Sequence, residues 1–186
     1  MIILKRILFI SIMITVGIFL WMEQQQKQFD QGYYGVATLP QPGYRAPDFS
    51  LASLTNEEKK MHLSRNDENS KGTIVYFWTS WCPFCAASMK SLEEAYVHYG
   101  NDIRFIGINV TKQDSISNAT AFIEENNIHF PIVLDEEGIV SANYYVPPIP
   151  ATFLIDSDGY ILNRKVGAIT SFEVSKWIQQ LEGGIE

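Results

Sequence analysis

Cysteine is scarce in this chain of 186 residues. There are two, Cys82 and Cys85, with Pro83 and Phe84 between them. Histidine is nearly as scarce, with His62, His98 and His129. These shortages exclude several chemistries. Haem attachment through a Cys-x-x-Cys pair requires a histidine next, and the next residue is Ala86. A zinc site needs about four ligands, typically two such pairs or one pair with two histidines, and none of the three histidines has that spacing. Basic residues are also few, 14 Lys and Arg against 21 Asp and Glu, for a net charge of −7. They are scattered, so no nucleic-acid footprint forms. The acidic balance disfavours polyanionic partners and favours solubility. No internal repeat is visible.

What is present suffices for one domain with appendages. Apolar residues make up 46% and charged residues 19%, which permits a sizeable core. Residues 1–22, "MIILKRILFISIMITVGIFLWM", stand apart from it. Lys5 and Arg6 precede an uncharged run from Ile7 to Met22. As a helix that run spans about 24 Å at ~1.5 Å per residue. Ile2 to Leu4 extend it, Lys5 and Arg6 can snorkel, and Trp21 suits the far interface. A cleaved signal peptide would need small residues just past the run. Here Phe19-Leu20-Trp21-Met22-Glu23 follows, and no later cysteine is placed to carry a lipid. We therefore expect an uncleaved transmembrane signal anchor over residues 1–22, with Lys5 and Arg6 cytoplasmic and the rest outside. That compartment tolerates disulfides.

Residues 23–43 read as a tether, rich in Gln with Pro40, Pro42 and Gly43. Residues 44–186 form the expected domain. Asn56 to Lys71 is polar and reads as a hairpin connection or surface insertion. Thr73 to Trp78, "TIVYFW", is a buried strand. Cys85, Met89, Leu92 and Tyr96 recur at helical spacing, and Gly100 closes that helix. Ile103 to Val110 is a second strand, Ser115 to Asn127 a helix, Phe130 to Leu134 a short strand and Ala151 to Ile155 another. Asp158-Gly159 turns into a strand from Tyr160 to Val166. Ser171 to Leu181 is a closing amphipathic helix. The order implies an α/β sandwich with a mixed sheet.

For the cysteine pair, a structural disulfide would close a tiny loop and remove little chain entropy. A working redox couple has positive support, because the pair stands where a buried strand meets a helix. Pro83 suits the first helical turn, where a missing N–H is no loss. Cys82 then lies at or beside the N-cap, where free N–H groups and the helix dipole favour a thiolate. Cys82 would attack a partner's disulfide, and Cys85, one turn in, would resolve the mixed disulfide.

The stretch "FWTSWCPFC" resembles the active-site segment of the thioredoxin superfamily. "VPPIPATFLIDSDGYI" resembles the cis-proline strand and hairpin of its membrane-anchored TlpA/ResA-like branch. "APDFSLASL" resembles the start of that branch's domain and "FPIVLDEEG" its central insertion. The resemblance spans roughly Tyr44 to Leu181. It implies a thioredoxin-like three-layer sandwich with a mixed central sheet. It implies that Cys82 and Cys85 are catalytic, that Pro150 is the cis-proline, and that Ile149 offers its backbone to substrate as an added strand. Trp81, Pro83 and Phe84 would complete the substrate-binding surface. Many members carry a buried acid at the position of Tyr76, so that proton acceptor is missing here. His98 and His129 read as structural or surface residues.

The resemblance further implies an extracytoplasmic thiol–disulfide oxidoreductase of a bacterial cell membrane. It would act on protein thiols and disulfides, be re-reduced by a membrane electron-donor protein, and need no cofactor or metal. Pro-Phe between the cysteines carries no charge, which leans towards a reductase. Apocytochrome c thiols, or envelope and spore proteins, are the substrates the branch suggests. Two other readings stay open: a Cu(I) metallochaperone using the dithiol, and a thiol peroxidase in which Cys82 attacks peroxide.

Overall fold

The computed structural model describes residues 40–55, 59–64, 70–146 and 148–183, together with Gly17. The anchor expected over 1–22 and most of the tether lie outside the described residues. Among the described residues no helix is long and apolar enough to cross a membrane. In chain order the elements are β1 (Ser50–Ser53), β2 (Lys60–His62), β3 (Gly72–Trp78), α1 (Pro83–Tyr99), β4 (Arg104–Asn109), a 3-10 turn (Thr111–Gln113), α2 (Ile116–Glu125), β5 (Ile132–Leu134), α3 (Ile139–Asn143), β6 (Ala151–Asp156), β7 (Ile161–Val166) and α4 (Ser171–Leu181).

The sheet grows from its most apolar strand. Every residue of β3 is buried. Its side chains alternate between faces, as a strand's must. Ile74, Tyr76 and Trp78 enter one core with Met89 and Leu92 of α1, Ala119 of α2, and Val174 and Ile178 of α4. Val75 and Phe77 enter the other with Val140 of α3, Tyr144, Ala46 and Phe49. The result is three layers. Three helices cover one face, and the short α3 with the segment around Ala46 covers the other. Full burial of each large side chain contributes about 1.5–3 kcal/mol.

The strand order is β2-β1-β5-β4-β3-β6-β7. β3 runs parallel to β4, and β4 to β5. The pairs β3–β6, β6–β7, β1–β5 and β1–β2 are antiparallel, so the sheet is mixed. Helix starts are written locally. The Ser115 hydroxyl caps α2 by accepting from Asn118 N–H. Thr170 and Glu173 form a reciprocal capping box on α4.

Three departures from the sequence reading have local causes. The strand expected from Phe130 starts at Ile132, because Pro131 has no N–H for the ladder; its carbonyl still accepts from Gly107. The polar tract from Asn56 carries β2, which closes a hairpin with β1 in the register Ser50↔His62. The five-residue α3, absent from the sequence reading, is entered through left-handed Gly138 and left through Tyr145 at φ 50°.

The topology gathers three connections at one end of the sheet. Parallel β3 and β4 end there, leading into Thr79–Cys82 and Val110–Ser115. Antiparallel β6 begins there, with Ala151 opposite Phe77. Pro150 is the next residue out, at the same end.

Candidate active site

Cys82 is the N-cap of α1, with extended backbone (φ −86°, ψ 113°) and Pro83 in the first turn. No side chain caps this end, and the first turn holds no acidic residue. The positive end of a 17-residue helix is therefore directed at Cys82 without a competing carboxylate in that turn. The Cys85 N–H donates to the Cys82 carbonyl at 3.0 Å, which winds the first turn and brings the two side chains to one side of it. Both cysteines are thiols and both are buried, Cys82 with 5% of its surface exposed and Cys85 with none.

The two thiols differ in setting. Burial pushes the Cys85 thiol up to about 12, and a hydrogen bond with Cys82 adds to the rise. The Thr79 backbone and the Tyr76 hydroxyl pull the other way. Cys85 is thus a protonated thiol at neutral pH, held behind Cys82. Tyr76 projects from β3 beneath it and donates to the Cys85 carbonyl at 3.2 Å. Burial raises Tyr76 well above the usual phenol value, so it is a neutral donor. Ser88, also buried, accepts from Ile169 N–H at 3.1 Å and ties α1 to the segment before α4.

Around this pair stand the other predicted residues. Trp81 and Phe84 are exposed, at 60% and 65%, on either side of Cys82. Pro83 is exposed between the cysteines, Ile149 is partly buried, and Pro150 is buried. The Ile149–Pro150 peptide bond is cis. The Pro150 carbonyl accepts from Gly167 N–H at 2.8 Å. His98 and His129 are exposed; His129 pairs with Glu93 at 2.8 Å and His98 with the Glu94 carbonyl.

Sequence reasoning missed Asp114. Its carboxylate accepts from Ser80 N–H and Ser80 Oγ, both at 2.6 Å, and from Asn109 Nδ2 and Ser115 N–H, both at 2.9 Å. Burial raises its carboxyl, but the bonds from Ser80, Asn109 and Ser115 outweigh that and hold it below the usual carboxylate value. One residue earlier, the Gln113 carbonyl accepts from the Trp81 indole at 2.8 Å. The turn that delivers Cys82 is therefore pinned to the loop after β4. The only signal in the sequence was the acid before a helix-capping serine, Asp114-Ser115. Among the described residues, no group of three or more His, Cys, Asp or Glu side chains gathers in a way that could hold a metal ion.

A mixed sheet of this topology, with a dithiol at the start of the helix after its central strand, defines a thioredoxin-like thiol–disulfide oxidoreductase. The chain belongs to the AhpC/TSA family, whose model matches residues 42–164. It is 31% identical over 137 residues to the thioredoxin-like protein YneN of Bacillus subtilis, covering 73% of this chain and 78% of that one. It is 29% identical over 153 residues to the thiol-disulfide oxidoreductase ResA of Bacillus cereus, covering 81% and 84%. Among solved structures, StoA of Bacillus subtilis superposes with a TM-score of 0.61 at 26% identity, covering 71% of this chain and 96% of that one.

Proposed function

We propose that this chain is a membrane-anchored, extracytoplasmic protein-disulfide reductase. The observation that carries the reading is the asymmetry of the dithiol: Cys82 caps α1, while Cys85 is fully buried one turn in, raised by that burial. In this mechanism the Cys82 thiolate attacks a substrate disulfide. A Cys82–substrate bond forms, and the departing substrate sulfur takes a proton from solvent. Cys85 loses its proton to solvent and attacks Cys82. The Cys82–Cys85 disulfide forms, and the substrate leaves as a dithiol carrying two electrons. Trp81, Pro83 and Phe84 offer an apolar surface beside the sulfurs. The Ile149 backbone is available to a substrate strand, and Pro150 shapes that contact.

Residues 1–22 act as the anchor, 23–43 as the tether and 44–186 as the working domain. The family likeness to ResA supports a bacterial envelope location and a membrane protein that returns electrons to the pair. Substrates of matching chemistry are apocytochrome c thiols before haem attachment, or envelope and spore proteins. The Pro83-Phe84 dipeptide adds no charge to stabilise the thiolate, which supports the reducing direction. The reduction potential of the pair in the full-length chain, set against defined thiol buffers, tests this direction. A value at or below the thioredoxin range, about −270 mV, supports a reductase; a value near −120 mV makes it an oxidant and refutes the direction.

A further inference from the structure

The position of Tyr76 has a role beyond core packing. Its side chain lies directly behind the resolving cysteine. Its hydroxyl donates to the Cys85 carbonyl at 3.2 Å and lies beside the Cys85 thiol and the Ser88 hydroxyl. A phenol has one proton and can rotate it about the C–O bond. Facing a neutral thiol, it serves the carbonyl. Facing a thiolate, it can turn to the sulfur, because a hydrogen bond to an ionised acceptor is about twice as strong as one between neutral groups. Burial sharpens this preference, since a charged sulfur gains more from a donor in a low-dielectric interior.

We propose that the Tyr76 hydroxyl is the hydrogen-bond donor that stabilises the Cys85 thiolate during resolution of the mixed disulfide. A buried acid would take the Cys85 proton; Tyr76 instead stabilises the anion left after that proton has gone to solvent. The step balances without a further reactant. Cys85 gives its proton to water and its thiolate attacks Cys82 Sγ. The Cys82–substrate bond breaks, and the substrate thiolate is protonated by solvent. This role rests on the oxidoreductase reading, so the test must separate the two.

The experiment uses the full-length reduced chain and oxidised glutathione as the probe. Acid quenching at timed intervals and intact-mass measurement resolve three species: dithiol, Cys82–glutathione adduct and intramolecular disulfide. Tyr76→Phe keeps the ring and removes only the donor. We expect adduct formation at the wild-type rate and resolution slowed by roughly tenfold or more, so that the adduct accumulates. Thr152→Val is the control. Thr152 is paired directly opposite Tyr76 and its buried hydroxyl has no partner among the described residues. Its loss should leave both rates unchanged. If Tyr76→Phe resolves at the wild-type rate, or slows both steps equally, the donor role is wrong. Equal slowing of resolution by Thr152→Val also overturns it. If the wild-type chain is converted neither to the adduct nor to the intramolecular disulfide, the oxidoreductase reading fails and takes this inference with it.

Discussion

Replacing Asp114 by Asn changes one atom, yet it should weaken the turn that carries the nucleophile. The carboxylate receives four donors, two on each oxygen. Oδ2 takes Ser80 N–H and Asn109 Nδ2, both obligate donors. Oδ1 takes Ser115 N–H and the Ser80 hydroxyl, and only the hydroxyl could reverse and accept. An amide NH2 in either place therefore faces at least one donor it cannot satisfy. The best arrangement puts the NH2 at Oδ1, loses the Ser115 bond and turns the Ser80 hydroxyl round. One lost bond to a charged group costs about 1.5–3 kcal/mol, and water can replace part of it because Asp114 is only partly buried. We expect roughly 2 kcal/mol of lost stability, or about 4–8 °C in Tm for a domain of this size. Urea unfolding of the reduced chain at pH 7 measures it. The pH dependence provides an independent check. The Asp114 carboxyl is lowered in the folded state, so its contribution is present above the ordinary unfolded carboxylate value, about 3.9, and is lost as pH falls through the folded value. Wild type and Asp114→Asn should therefore converge in acid. A stability change within ~0.5 kcal/mol at pH 7, or a gap that stays constant down to pH 2, would show that the four bonds do not hold the turn.

Two further outcomes follow from the same geometry. Cys85 is raised by burial to about 12, so the thiol form stabilises the reduced fold below the unfolded thiol value, near 8.5, and that stabilisation drains away as pH climbs towards the folded value. Reduced protein should lose about 1.4 kcal/mol per pH unit above pH 9 relative to the disulfide form, as followed by paired urea titrations; parallel curves for the two forms would contradict the burial of Cys85. Gly72→Ala places a Cβ 2.6 Å from the Ile155 carbonyl oxygen and 2.8 Å from Leu181. Backbone cannot retreat as a side-chain tip can, so a cost of about 1–3 kcal/mol is expected in the same assay, and a neutral variant would mean that β3 and β6 are spaced more loosely than described.

Much of this architecture was legible because its main elements carry strong periodic signals. β3 is wholly apolar or β-branched apart from its first residue, and α1 repeats Cys85, Met89 and Leu92 on its buried face. Both cysteines, and the proline just before β6, could be singled out because their chemistry is tied to short local patterns. The elements that escaped are short or weakly patterned. β1 and β2 span four and three residues, and "SLAS" and "KMH" hold too few apolar positions to show a period. α3 depends on a left-handed glycine to start it and has five residues in which to declare itself. Asp114 escaped for a different reason. Its principal partner, Ser80, is 34 positions away, and only the parallel pairing of β3 with β4 brings the two loops together. Tyr76 was legible as a missing acid, but its use as a donor depends on where its hydroxyl falls relative to α1.

In the proposed mechanism Cys82 is the attacking sulfur and Cys85 the resolving one. Mixing the Cys85→Ser and Cys82→Ser variants with a protein disulfide, and reading the products by non-reducing electrophoresis and mass, tests this division. A stable mixed disulfide through Cys82 is expected in the Cys85→Ser chain and none in the Cys82→Ser chain. A mixed disulfide through Cys85, or full disulfide turnover in either variant, would contradict it.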